Sequence, residues 1–186
     1  MRIAALVDKL ERLRVRDRRR SAFGASDHQY RLGEKVPLKV LTTLERKLKV
    51  TFPDEYRAWL LAVGEGGAGP GYGLIPLEIA ARRGPTARLD RPFPFSTSQG
   101  AAVSEARVRD PNASIPGWTV DGALPLAGHG CGWESVLVLD GEQEGLIWYG
   151  GDGWWPETAA GAQLSFFDWY EAWLDAMLVR PNGRRR

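Results

Sequence analysis

Cys131 is the only thiol in the chain, and His28 and His129 are its only histidines. One cysteine cannot close an internal disulfide, so the fold is expected to stand without oxidation. Three such residues fall short of the four ligands that a structural zinc takes, and no metal or other cofactor is expected. No apolar run reaches the roughly 18 residues of a membrane helix. Met1 to Leu13 is charged throughout and lacks the apolar stretch of a secretion signal, so the expected location is the cytoplasm. Internal repeats are absent.

What the chain does have is aromatic weight and divided charge. Eight Trp, six Phe and five Tyr among 186 residues can fill the core of one domain. The net charge of +2 hides an asymmetry: between Asp121 and Leu178 stand ten acidic residues and no Lys or Arg. Separated sign of this kind speaks about partners more than about fold.

Ile3, Leu6, Val7, Leu10 and Leu13 recur at helical spacing, which predicts an amphipathic helix over residues 1–16. Arg12, Arg14, Arg16, Arg18, Arg19 and Arg20 make a basic run, and residues 21–35 read as loop. Residues 1–35 are therefore expected to form an arm against a main domain of residues 36–180, with 181–186 a frayed tail. Pro37 suits the first turn of a helix carrying Leu38, Leu41, Leu44 and Leu48 on one stripe. A second start follows at Pro53, with Asp54 and Glu55 at the positive end of the helix dipole and Tyr56, Leu60 and Leu61 on the buried face. Gly64, Gly66 and Gly67 can end that helix.

Residues 72–77 read as a short strand, and residues 82–121 as loops with Phe93 and Phe95 on a strand edge. Residues 135–139 and 146–149 predict an antiparallel hairpin joined through Asp140 to Gly145. Residues 150–161 read as a Gly- and Trp-rich loop. Ser165 with Asp168 resembles a capping box, opening a last helix with Phe166, Trp169, Tyr170, Trp173, Leu174 and Met177, which Pro181-Asn182-Gly183 would stop.

Taken in order, Leu44-Glu45, Leu48, Phe52-Pro53, Tyr56-Arg57, Leu60, the Gly64/Gly66/Gly67 cluster and Gly73-Leu74 form a pattern. It continues through Leu124-Pro125-Leu126, Gly130-Cys131-Gly132, Leu137-Val138-Leu139, Gly141, Gly145-Leu146-Ile147-Trp148, Phe167, Tyr170 and Leu174. This pattern resembles the SUKH superfamily, the group of Smi/Knr-like cell-wall-assembly regulators and bacterial immunity proteins. The likeness spans roughly residues 38–178. The asparagine often found beside the family's glycine pair is absent, Val63-Gly64-Glu65-Gly66-Gly67 standing there instead. The resemblance implies an α+β fold, with a mainly antiparallel curved sheet flanked by helices, and action by binding rather than by catalysis. It also implies structural roles for Glu45, Pro53, Tyr56, Leu60, Gly64, Gly66, Gly67, Gly130, Gly132, Gly145 and Trp148.

Candidate chemistry is thin. His129, Cys131 and Glu134 lie close in sequence and could make a nucleophilic set, but Gly130-Cys131-Gly132 reads more simply as the opening of a buried strand with a packed thiol. The glycines from 64 to 73 lack the Gly-Lys-Ser/Thr of a phosphate cradle. Trp148, Trp169 and Trp173 are expected in the core; Trp118 and Trp133 complete the seven tryptophans of the acidic half beside Trp154-Trp155. Trp154 and Trp155 are either interface anchors or a lid folded on the sheet. With Glu134, Asp140, Glu142, Glu144, Asp152 and Glu157 they make the expected partner surface, whose carboxylates have no local Lys or Arg. The expected function is a non-enzymatic immunity protein covering the basic surface of a toxin domain such as a nuclease; the alternative is a regulatory scaffold for endogenous proteins. The arginine run either pairs with the chain's own acidic face or stays solvated; nucleic acid is disfavoured because no recognition motif accompanies it.

Overall fold

The computed structural model describes residues 2–82, 88–96, 120–151 and 153–179. Trp118, Asp152 and the Pro181-Asn182-Gly183 stop lie outside these residues. Helix α1 (Arg2–Arg16) is followed by the single turn α2 (Ala25–His28), then α3 (Leu38–Leu48), α4 (Asp54–Ala62) and α5 (Leu77–Arg82). Strands β1 (Ala123–Gly130), β2 (Trp133–Val138), β3 (Ile147–Gly150) and β4 (Trp154–Pro156) form one antiparallel sheet in the order β1-β2-β3-β4. The two-residue strands β5 (Thr158–Ala159) and β6 (Ala162–Gln163) pair separately and lead into the last helix, α6 (Phe166–Val179). The class is α+β.

The apolar stripe of α1 does what its spacing predicts: Leu6, Leu10 and Leu13 are buried and belong to the same core as the helices and sheet that follow. Each fully buried leucine contributes about 1.5–3 kcal/mol. Around that seam, Lys9 meets Glu171 and Asp175 of α6 at 2.7 Å each, and Arg2 reaches Asp168, Glu171 and Glu55. Such half-exposed pairs contribute at most about 1 kcal/mol apiece, so burial fastens the helix and the ion pairs set its register. The expected loop over residues 21–35 contains α2, and Tyr30 and Ala25 within it are buried.

Leu41 is buried on α3, whereas Leu38 at the helix start is exposed and off the expected stripe. Glu45 is buried too, and its Oε1 accepts the Phe52 N–H at 3.1 Å and the Arg57 Nε–H at 3.2 Å. That carboxylate clamps the break between α3 and α4. On α4, Tyr56, Trp59 and Leu60 are buried, and Trp59 packs 4.6 Å from the Tyr170 ring of α6. Beyond α4, the glycine loop runs tight against residues 31–34. A Cβ at Gly64, φ +152°, would stand 2.3 Å from the Gly33 carbonyl oxygen, so only glycine fits. Four of the loop's N–H groups are already used: Gly64 donates to Trp59, Glu65 to Glu34, Gly67 to Leu74 and Ala68 to Arg31. No row of free donors is left there to cradle a phosphate.

Residues 72–75 do not form a regular strand. They run along the free edge of β1, with the Tyr72 N–H on the Gly128 carbonyl and the Ile75 N–H on the Leu126 carbonyl. Bulges at Pro125/Ala127 and Gly128/Gly130 interrupt β1, and bulges bend the strand that carries them. One sheet face, with Leu124, Leu126, Leu137 and Ile147, packs on the helices. The other, with Ala123, Val136, Val138, Trp148 and Trp154, is covered by Phe93 and Phe95, which lie on an irregular segment rather than a strand edge. Ser165 caps α6: its Oγ accepts the Asp168 N–H at 3.3 Å and bonds the Asp168 carboxylate at 2.9 Å.

Candidate functional site

The β2–β3 connection is a built loop. The Asp140 carboxylate accepts the Gly141 N–H at 2.8 Å, the Glu144 N–H returns to the Gly141 carbonyl, and Gly145 donates to Val138. Buried Gln143 anchors it from within, accepting a 2.7 Å bond from the Gln163 amide. With the backbone so fixed, Asp140, Glu142 and Glu144 project into solvent. No ion pair joins them to a Lys or Arg among the described residues.

Beneath the loop lies a cleft of about 360 Å³, lined by residues of the α3–α4 break, the loop and the start of α6. Phe52, Pro53, Leu146 and Phe166 form its apolar floor, and Asp54, Glu55 and Glu144 bring carboxylates to it. Glu55 is engaged, accepting the Phe167 N–H at 2.8 Å and lying 3.5 Å from Arg2. Asp54 is exposed. Gly145 and Pro53, both family-pattern positions, face each other across this cleft, with a Cβ on Gly145 reaching 3.7 Å from Pro53 Cβ. The arrangement suits the alkyl stem and cationic head of a partner lysine or arginine. Asp54 and Glu55, read in sequence only as helix-dipole residues, are thus part of the acidic ground.

The rest of the expected acidic surface does not join this loop. Antiparallel pairing sends successive connections to opposite ends, so the β2–β3 loop and the β3–β4 turn are separated by the length of β3, about 10 Å. Glu134 is 7% exposed and Trp154 is 5% exposed, the latter packed in the outer-face core; neither is offered to a partner. Trp154-Trp155 is not loop but β4. Trp155 is half-buried, its ring 6.0 Å from that of Trp133, which stacks on Tyr149 at 5.1 Å. Asp152 lies outside the described residues. The acidic residues of α6 are answered by Arg2 and Lys9 of the N-terminal helix.

Glu157 belongs to a polar cluster against the sheet. Ser135 Oγ lies 2.8 Å from His129 Nε2 and donates to Glu157 Oε1 at 3.4 Å. Burial pushes the Glu157 carboxyl up and the His129 imidazole down, so both are drawn toward their neutral forms. Ser135 is fully buried, which keeps a substrate from its hydroxyl. The expected packed thiol is corrected: Cys131 is exposed at the tip of the β1–β2 turn, φ +48°, beside Gly132 at +79°. Positive φ at both central positions is the type I′ hairpin turn. The His129 ring turns to Ser135, and Glu134 points to the other sheet face from Ser135 by strand alternation, so a Cys–His–Glu set is not assembled. Among the described residues no group of His, Cys, Asp and Glu could hold a metal ion, and no helix is long and apolar enough to cross a membrane.

Of the family-pattern residues, Glu45, Pro53, Tyr56, Leu60 and Trp148 are buried, and Gly64, Gly66, Gly67, Gly130, Gly132 and Gly145 all take positive φ. The model of the SMI1 / KNR4 family (SUKH-1) matches residues 35–172. Comparison with curated proteins and with solved structures returns no match.

Proposed function

We propose, from the premise that this chain belongs to the SMI1 / KNR4 family (SUKH-1), that it is a cytoplasmic immunity protein that neutralises a toxin domain through the acidic β2–β3 loop and the cleft below it. The family includes immunity proteins and cell-wall regulators and is generally one of non-catalytic binding. The observation that carries the reading is the solvent-facing trio Asp140, Glu142 and Glu144, held on a hydrogen-bonded loop without an internal cation. A nuclease toxin needs a basic surface for phosphates; a rigid acidic loop would occupy it and, by opposite fields, speed the encounter.

Co-expression with the product of the neighbouring gene, assayed for toxicity on its own, tests this. Wild type should restore growth. Asp140→Lys/Glu142→Lys/Glu144→Lys, on an exposed loop, should stay folded by circular dichroism and fail to rescue. Undiminished rescue by the triple variant would overturn the proposed surface.

A further inference from the structure

A second cleft, of about 290 Å³, opens where α1 ends, and it carries the opposite charge. Arg14, Arg18, Arg20 and Arg31 line it with Gln29, Tyr30 and one acid, Asp17. Its shape is set from below. Asp17 accepts the Tyr30 hydroxyl at 2.7 Å and the N–H groups of Ser21 and Ala22 at 2.8 and 3.0 Å, which ties the end of α1 to residues 29–31. Arg20, Gln29 and Tyr30 stand in the left-handed region at φ +52°, +52° and +57°. Gln29 takes this conformation as the C-cap of α2, its N–H donating to the Ala25 carbonyl.

Several cations of this region, Arg14 of the lining among them, have internal partners. Arg12 pairs with Asp8, Arg14 with Glu11, and Arg16 donates to the Leu178 carbonyl. Arg18, Arg20 and Arg31 meet no carboxylate in an ion pair among the described residues. Helix-dipole complementarity explains one or two cations near a C-terminus, but not a fourth guanidinium brought in from residue 31. We infer that this cleft binds a compact polyphosphate group, as carried by a nucleoside triphosphate or by inorganic triphosphate. Planar guanidiniums match phosphate oxygens in bidentate pairs, and Arg18, Arg20 and Arg31, set against the single lining carboxylate of Asp17, suit a multiply charged anion. The volume is at the small end for ligand sites, which fits linked phosphates better than an extended polymer. The lining offers no exposed aromatic platform for a base, since Tyr30 is buried. All seven lining residues lie outside the span matched by the family.

Calorimetric titration of the full chain in magnesium-free buffer tests the inference, with inorganic triphosphate, ATP, orthophosphate and a single-stranded oligonucleotide as probes. Triphosphate should bind one to one. ATP should bind within about threefold of it, and orthophosphate at least about tenfold more weakly, since affinity follows the number of phosphate contacts. Arg18→Ala/Arg31→Ala should weaken triphosphate binding by roughly tenfold or more, with an unchanged melting curve in the absence of ligand. Loss of binding in the double variant alone supports the site. Absence of triphosphate binding at millimolar concentration, equal binding by the double variant, or tighter binding of the oligonucleotide than of triphosphate would each overturn it.

Discussion

Glu45 Oε1 accepts the backbone N–H of Phe52 at 3.1 Å, across the break between α3 and α4. The bond replaces the helical partner that Phe52 gives up so that Pro53 can start a new helix, and it places Phe52 and Pro53 on the floor of the acidic cleft. Glu45→Ala leaves that buried N–H unsatisfied. Urea unfolding should show a loss of about 1–3 kcal/mol, and Glu45→Gln, which keeps an acceptor, should lose less.

The N-terminal helix is held by burial more than by charge. Leu10→Ala should destabilise by about 2–5 kcal/mol, while Lys9→Ala, which removes the two pairs to Glu171 and Asp175, should lose no more than about 2 kcal/mol. Chemical denaturation of the two variants checks the order. Equal losses would contradict it.

Cys131 sits at the tip of a type I′ turn with φ +48°. The thiol should react with an aromatic disulfide reagent in the native protein at the rate of a free thiol, without denaturant. Cys131→Gly should stabilise the fold by about 1 kcal/mol, because glycine takes the left-handed conformation without the Cβ clash. A thiol that reacts only after unfolding would refute the exposed turn.

The part-buried polar cluster has a pH signature with two opposed parts. Burial holds His129 below the ordinary histidine value of 6.5, so the unfolded chain takes up the proton first and stability falls as pH drops below that value. His28, lowered by burial in the same way, adds to this loss. His129→Gln should therefore shrink the acid-side loss without abolishing it. Glu157 is raised above 4.5 by burial, so its contribution is present below that pH and disappears as pH rises. Glu157→Gln, which keeps an acceptor for Ser135, should make the protein more stable at pH 7. Melting temperatures across the pH range check both signs.

How far the sequence could be read varies with the kind of signal. Helices announced themselves through 3.6-residue stripes: Leu6, Leu10 and Leu13, or Phe166, Trp169 and Tyr170, lie buried as their spacing requires. The capping pair Ser165 and Asp168 was equally visible. The β2–β3 hairpin was readable from two apolar runs around a polar loop. Short strands rich in punctuating residues were not: Trp154-Trp155-Pro156, flanked by glycine, reads as loop until β3 is there to pair with it. Residues 72–75 looked like a strand but meet β1 only through irregular bonds. The acidic surface failed in a specific way. Charges near one another in sequence were expected on one patch, yet each hairpin reverses direction and divides them between two ends. Pairing of Arg2 and Lys9 with α6 joins residues more than 160 positions apart, which no local pattern can disclose. What remained together is the trio on the β2–β3 loop, joined by Asp54 and Glu55, whose part in the cleft depends on how α4 packs.

The most direct test of the acidic-loop account is the affinity of wild type and Glu142→Lys/Glu144→Lys for the cognate toxin domain at two ionic strengths. The account predicts at least about tenfold weaker binding by the variant and a flatter dependence on salt, because steering and contact charges are both reversed. Identical affinity with an identical salt slope would contradict it.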